Sequence, residues 1–203
     1  MLAYEGDRFH PSRIANSLNN ISSTWAASGH TLRTESEQRL WIHIAELEAR
    51  FAFHGELPRL VVHGDFHGDN LLFDRETLVA VLDYDRASYQ PRVSEVAEAL
   101  IYFSSPKECQ LRSLDYPGAL EWAPFSSFLA SYASAVQLTG RETLALPDYI
   151  RCIWMQMSLS HPLKGLLSPG DFLALDETLF LADWASENAD DLVQVALERF
   201  SAS

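Results

Sequence analysis

Lysine is almost missing from this chain: its 203 residues hold two, Lys107 and Lys164. Cysteine is as scarce, with Cys109 and Cys152 alone. Two thiols without metal-ligand spacing exclude a disulfide scaffold and fit a reducing compartment. No apolar run approaches the roughly 20 residues that cross a bilayer. The opening Met1-Leu2-Ala3-Tyr4-Glu5-Gly6-Asp7 has no basic stretch leading into an apolar core, so no signal peptide is expected. Positive charge is also in short supply, 15 basic against 28 acidic side chains, for a formal charge of −13. Such a surface repels nucleic acid and anionic membranes and mildly favours a cationic partner, and the same acid excess also serves solubility alone. What is present is globular: 47% hydrophobic and 21% charged residues, enough to bury a sizeable core in one large domain or two small ones. The expectation is a soluble cytoplasmic protein.

Hydrophobic spacing then divides the chain. Ile14, Leu18, Ile21 and Trp25 form one helical stripe, interrupted at Gly29 and His30. Thr34 and Glu37 have the form of a capping box, after which Leu40, Ile44, Leu47 and Phe51 repeat on one face until Gly55 and Pro58. The texture changes at Leu60-Val61-Val62, which leads into the polar cluster from His63 to Asn70. Leu71-Leu72-Phe73 and Leu78-Val79-Ala80-Val81-Leu82 flank the turn-like Asp74-Arg75-Glu76-Thr77 and predict a hairpin. Its strands alternate poorly, so both are expected to be covered by protein. Helical stripes return with Val93, Val96, Ala97, Leu100 and Ile101, then with Phe125, Phe128, Leu129, Tyr132 and Val136 after Pro124. Pro147 is read as the start of a helix carrying Ile150, Ile153, Trp154 and Met157. A last stretch runs from about Phe172 to Phe200, with a break expected near Asn188. The reading is an α+β, mostly helical chain: a helical lead-in over 1–58, a loop and hairpin over 59–86, and a helical subdomain over 87–203.

The chemistry concentrates where helix gives way to hairpin. His63-Gly64-Asp65-Phe66-His67-Gly68-Asp69-Asn70 puts two imidazoles and several carboxylate or amide oxygens on one short loop, and Leu82-Asp83-Tyr84-Asp85 adds two carboxylates just beyond a strand. If the hairpin brings its ends together, Asp65, Asn70 and Asp83 converge. Phosphoryl transfer needs that inventory: one carboxylate to orient and deprotonate an attacking hydroxyl, and hard oxygen donors for Mg²⁺ beside the nucleotide phosphates. Asp65 and Asn70 have the Asp-to-Asn spacing of a kinase catalytic loop.

The segment resembles the aminoglycoside phosphotransferase family, which includes choline, homoserine and fructosamine kinases. The family pattern is His-Gly-Asp, one residue, commonly His, two residues and Asn, then an aliphatic residue and Asp on the next strand. The resemblance implies Asp65 as catalytic base, Asn70 and Asp83 as magnesium ligands, His63 as a brace of the loop, and His67 near the transferred phosphate. It implies ATP and Mg²⁺ as cofactors, a small-molecule hydroxyl substrate that the acidic balance tilts towards cations, and a protein-kinase-like C-terminal lobe. Arg92-Val93-Ser94-Glu95-Val96-Ala97 is similar to the family's helix start, with Glu95 in the acidic place. Gly68-Asp69 stands where the family often has Pro before Gly, which removes no ligand.

A kinase-like enzyme also needs a nucleotide lobe, with a lysine for the phosphates. Both lysines here follow the loop, and the 62 residues before His63 read as two helices. The N-terminal nucleotide lobe is therefore expected to be absent from this chain, and its nucleotide-binding residues are unknown. Two readings stay open: the catalytic half of an ATP-dependent small-molecule phosphotransferase, inactive alone, or an inert kinase-like fragment that binds a ligand or a protein. The Asp-x-His-Gly of Asp65 to Gly68 also opens the motif of binuclear-metal phosphoesterases, but the one histidine further on, His161, is too few for their ligand set. His161, before Pro162, is read as a helix-end residue, Asp85 and Arg86 as an ion pair bracing the loop, and the five tryptophans as core or interface. An uncovered cleft floor predicts a homodimer or a tendency to aggregate.

Overall fold

The computed structural model describes residues 8–27, 35–106, 118–164 and 172–200. Thr34 of the expected capping box, Lys107 and Cys109 lie outside these residues, as do the side chains of Trp25, His161 and Lys164. Helices α1 (Pro11–Ala27) and α2 (Glu35–His54) come first, and Gly55, at φ 62°, ends α2 in the left-handed conformation that glycine adopts most cheaply. Strand β1 (Arg59–Val62) follows, then the hairpin β2 (Leu71–Asp74) and β3 (Thr77–Val81), then β4 (Ser88–Pro91). Five helices follow among the described residues: α3 (Arg92–Ser104), α4 (Trp122–Ala133), α5 (Gly140–Lys164), α6 (Phe172–Glu187) and α7 (Ala189–Phe200). The break between α6 and α7 falls at Asn188, as the sequence suggests.

α5 is the centre. It packs against α1, α2, α3, α6 and α7, and its Leu146, Ile150, Ile153, Trp154, Met155 and Leu159 are buried on all sides. A helix surrounded in this way needs no single apolar face. The stripes of the other helices meet it or its neighbours: Ile14, Leu18 and Ile21 from α1, Leu40, Ile44 and Leu47 from α2, Val93, Val96, Leu100 and Ile101 from α3. The carboxylates and the arginine that α5 carries inside are paired. Glu142 receives two bonds from Arg92 at 2.6 and 2.9 Å, Asp148 holds Arg50 and His54, and Arg151 reaches Glu46 and His43.

Three expectations need correction. α5 begins at Gly140, not at Pro147, because Thr139 and Glu142 form a reciprocal capping box: the Thr139 amide donates to Glu142 Oε2 at 2.8 Å and the Glu142 amide to Thr139 Oγ1 at 3.3 Å. Val136 lies beyond the end of α4 and is exposed. The hairpin strands are not covered: Leu72, Phe73, Leu78 and Val79 are each about half exposed.

The sheets are small. β1 pairs antiparallel with β4, Arg59 opposite Pro91 through Val62 opposite Ser88. β2 pairs with β3, Leu71 opposite Val81, with a bulge between Leu72 and Phe73. Among the described residues these two-stranded ribbons are the only sheets. No described helix is long and apolar enough to cross a membrane.

Candidate active site

The loop that follows β1 is held at its second residue. Gly64 has φ 75°, and a Cβ there would lie 2.7 Å from the Arg86 carbonyl oxygen and 2.8 Å from Arg8 Nη1. Only glycine fits both the conformation and the space. Its amide donates to Glu95 Oε2 at 2.9 Å, and its carbonyl accepts from the Arg8 guanidinium. Glu95 thus ties the loop to the first turn of α3, and burial raises its carboxyl above the usual range against the pull of that bond.

Asp65 comes next, partly buried, with Oδ1 receiving Arg86 Nη1 at 3.3 Å and lying 3.8 Å from His67 Nε2. Arg86 therefore pairs with Asp65 rather than with its neighbour Asp85, because the short 3₁₀ turn Tyr84–Arg86 aims the guanidinium back across the loop. His67 is buried and caps a second 3₁₀ turn, Gly68–Asn70, its Nδ1 accepting the Asp69 amide at 3.3 Å. Its ring packs on Tyr102 at 5.1 Å, and its Nε2 lies 3.3 Å from Asn70 Nδ2. Asn70 in turn donates Nδ2 to the Asp65 carbonyl at 2.9 Å, so its Oδ1 is left as the acceptor.

The hairpin closes the ring. The Leu82 amide donates to the Asn70 carbonyl at 2.8 Å, which puts Asp83 one residue from that bond. Asp83 is exposed and takes the left-handed conformation, φ 60°, without capping the turn it precedes. Asp tolerates that conformation better than most residues, and unusual backbone of this kind collects at functional sites. His63 Nε2 bonds the Leu82 carbonyl at 2.7 Å, tying the start of the loop to the end of the hairpin. Its Nδ1 is buried without a hydrogen-bond partner.

Asp65, His67 and Asn70 thus touch one another, and His63 and Asp83 flank them through Leu82. Two further residues escaped the sequence reading, Arg8 on Gly64 and Glu98, while Arg86, expected to brace the loop through Asp85, does so through Asp65. Glu98 sits one turn beyond Glu95, 2% exposed, with Oε2 unpaired. Burial pushes its carboxyl up to about 7, with Arg8 pulling it down and Glu95 and Asp65 adding to the rise. A carboxylate at helical spacing after Glu95 was visible in the sequence, but its burial was not.

Among the described residues no cluster of three or more His, Cys, Asp or Glu side chains stands ready for a metal. Asn70 Oδ1 and the Asp83 carboxylate, near the backbone bond between Leu82 and Asn70, are the oxygens that could hold one. Two hard oxygens suit Mg²⁺, which takes few ligands from protein and completes its shell with water and phosphate.

Comparison with known proteins finds relatives for the chain and for its fold. The profile of the phosphotransferase enzyme family matches residues 9–124, more than half of the chain. A homoserine kinase of Methylobacillus flagellatus is 29% identical over 118 residues, 58% of this chain and 34% of that protein. An ethanolamine kinase of Plasmodium vivax superposes with a TM-score of 0.58 at 13% identity, over 92% of this chain and 52% of its own. A choline kinase from Cryptosporidium parvum Iowa II gives 0.50 at 11% identity, over 97% and 57%. The chain spans about a third of the homoserine kinase and just over half of the two solved kinases, whose kinase-like fold it shares. By its sequence match and its fold, the chain belongs to the phosphotransferase enzyme family.

Proposed function

We propose that this chain is the acceptor- and metal-bearing half of an ATP-dependent small-molecule O-phosphotransferase, and that these 203 residues do not turn over ATP alone. The observation that carries the reading is the bonded path from Asp65 through Asn70 to Leu82, the neighbour of Asp83. Asp65 accepts the proton of the acceptor hydroxyl as its oxygen attacks the terminal phosphorus and the bond to the departing ADP oxygen breaks. Arg86 fixes the orientation of that carboxylate. Asn70 Oδ1 and the Asp83 carboxylate would hold Mg²⁺, which when bound neutralises charge on the nucleotide phosphates. His67 Nε2 faces Asp65 and Asn70, close to where the transferred group would pass, and His63 keeps the loop registered on the hairpin. Homoserine, ethanolamine and choline, the acceptors named for the relatives, all carry a hydroxyl and a cationic nitrogen, and the formal charge of −13 favours the net-cationic ethanolamine and choline.

The nucleotide side needs a lysine and a covering flap, and removing one preorganised donor already costs about 10²–10³ in rate. ATP turnover is therefore expected to be undetectable for these 203 residues with homoserine, choline or ethanolamine. A version extended upstream to supply a sheet-bearing lobe should turn over, and Asp65→Asn should then lower kcat by orders of magnitude. Turnover by the short chain that Asp65→Asn abolishes would place the nucleotide site within it. An inert extended version with an intact loop would favour the ligand- or protein-binding reading instead.

A further inference from the structure

The loop is gripped from outside the segment that carries its motif. Arg8 lies 56 residues before Gly64, yet its guanidinium donates to the Gly64 carbonyl. That position is itself fixed. The Arg8 amide donates to Oε1 of the fully buried Gln90 at 2.7 Å, on the strand paired with β1. The next residue, Phe9, is 3% exposed within the core, and the guanidinium lies 4.9 Å from the centre of its ring. Burial of Phe9 and the bond from the Arg8 amide to the Gln90 side chain thus anchor this residue on either side of its own side chain, which reaches the loop.

There it completes a two-sided hold. Glu95 takes the amide of Gly64 and Arg8 takes its carbonyl, and that carbonyl belongs to the peptide that begins Asp65. The peptide plane between Gly64 and Asp65 cannot rotate without breaking the Arg8 bond, and the Asp65 side chain leaves the backbone immediately after it. Misplacement of a reacting group by about 1 Å costs about 10²-fold in rate, so a hold on this peptide bears directly on the Asp65 carboxylate. The arginine is also suited electrically: it faces Glu95 and the buried Glu98 from beneath the loop, so one cation serves a carbonyl and two acids.

We propose that Arg8 is a positioning residue for the phosphoryl-transfer loop, fixing the Gly64–Asp65 peptide from the segment that precedes α1. The link to phosphoryl transfer rests on the function proposed above; the hold on the loop does not.

Amide hydrogen exchange and ¹⁵N–¹H spectra of the 203-residue chain test the hold without any turnover. In Arg8→Met, protection of the Gly64 amide should fall by roughly tenfold and the Gly64 and Asp65 resonances should shift, while Ile150 in α5 keeps its protection. Arg8→Lys, which keeps one donor and the charge, should restore most of the protection. Should Arg8→Met not fold, Arg8→Met with Glu98→Gln carries the same measurement, because it also removes the buried acid that the arginine faces. Unchanged Gly64 signals, or protection lost equally at Gly64 and Ile150, would overturn the proposal. In a preparation that transfers phosphate, Arg8→Met should lower kcat by about tenfold to a hundredfold, leave the acceptor KM nearly unmoved and be rescued by Arg8→Lys. An active extended version whose kcat ignores Arg8→Met sinks the positioning role, whereas an extended version without any turnover counts against the phosphotransferase reading and leaves the exchange result to decide on Arg8.

Discussion

The helical body and the hairpin rim treat burial in opposite ways. Around α5, apolar side chains are enclosed and the buried charges are matched: Glu142 with Arg92, Asp148 with Arg50 and His54, Arg151 with Glu46. At the rim, Leu72, Phe73, Leu78 and Val79 stand 46–54% exposed, and the candidate catalytic groups hang on a loop held by single hydrogen bonds. The body is organised for its own stability. The rim leaves apolar side chains and the Asp83 carboxylate exposed. Glu98 lies at the border between them, enclosed like the body and unpaired like the rim. Substitutions should therefore separate into those that unfold the chain and those that spoil its chemistry.

The sharpest test of that division is Asp148→Ala. It takes the 1% exposed carboxylate away from the buried His54 and Arg151 as well as from the half-exposed Arg50, and removing one member of such a buried cluster costs about 3–5 kcal/mol. Urea unfolding followed by circular dichroism should show it. Asp65→Asn is the counterpart on the rim: its partner Arg86 is half exposed at 3.3 Å, so stability should move by less than about 1 kcal/mol. Equal losses from the two would erase the distinction.

The border residue gives a pH signature of intermediate size. Glu98 has a folded pKa raised to about 7 from 4.5, so the unfolded chain releases its proton first and stability must fall as pH rises between those values. The full difference amounts to roughly 3 kcal/mol, complete above pH 7. His43 works in the other direction. Burial foremost lowers its pKa below 6.5, with the Arg151 charge adding to the fall against the Asp183 bond, so folded His43 resists protonation and stability drops as pH falls below that value. Glu98→Gln should flatten the decline between pH 4.5 and 7 and leave the acid-side loss from His43 in place. Parallel profiles for the parent and Glu98→Gln would mean that this carboxyl is solvated after all.

The same division explains what the sequence could say. Ile14, Leu18 and Ile21, or Val93, Val96 and Leu100, show their helices because packing against α5 imposes a period on them. α5 itself carries no such period, since it is enclosed on all sides, and Pro147 outweighed the Thr139 to Glu142 capping box that marks its true start. The loop from His63 to Asn70 was legible because its geometry is local, Asp65, His67 and Asn70 lying two to five positions apart. Arg86 on Asp65 spans 21 positions and Arg8 on Gly64 spans 56, and no spacing rule reaches so far. The hairpin was read as covered because an apolar run looks the same whether a neighbour lies over it or not.

That misreading leads to the smallest expected effect on stability. Leu72 and Val79 lose little contact on substitution, being 51% and 54% exposed, and threonine keeps a branched side chain suited to a strand. Leu72→Thr with Val79→Thr should thus change unfolding free energy by no more than about 0.5 kcal/mol. The same pair removes apolar area from a two-stranded ribbon whose outer edges carry no further strand among the described residues, the arrangement most prone to self-association. Sedimentation velocity should find the parent associating with rising concentration and the double variant shifted towards monomer, with matching thermal transitions. A parent that stays monomeric at high concentration would show that apolar exposure at the rim is tolerated without a cover. A double variant destabilised as strongly as Asp148→Ala would show instead that the hairpin is part of the body, and that the two regions fold as one.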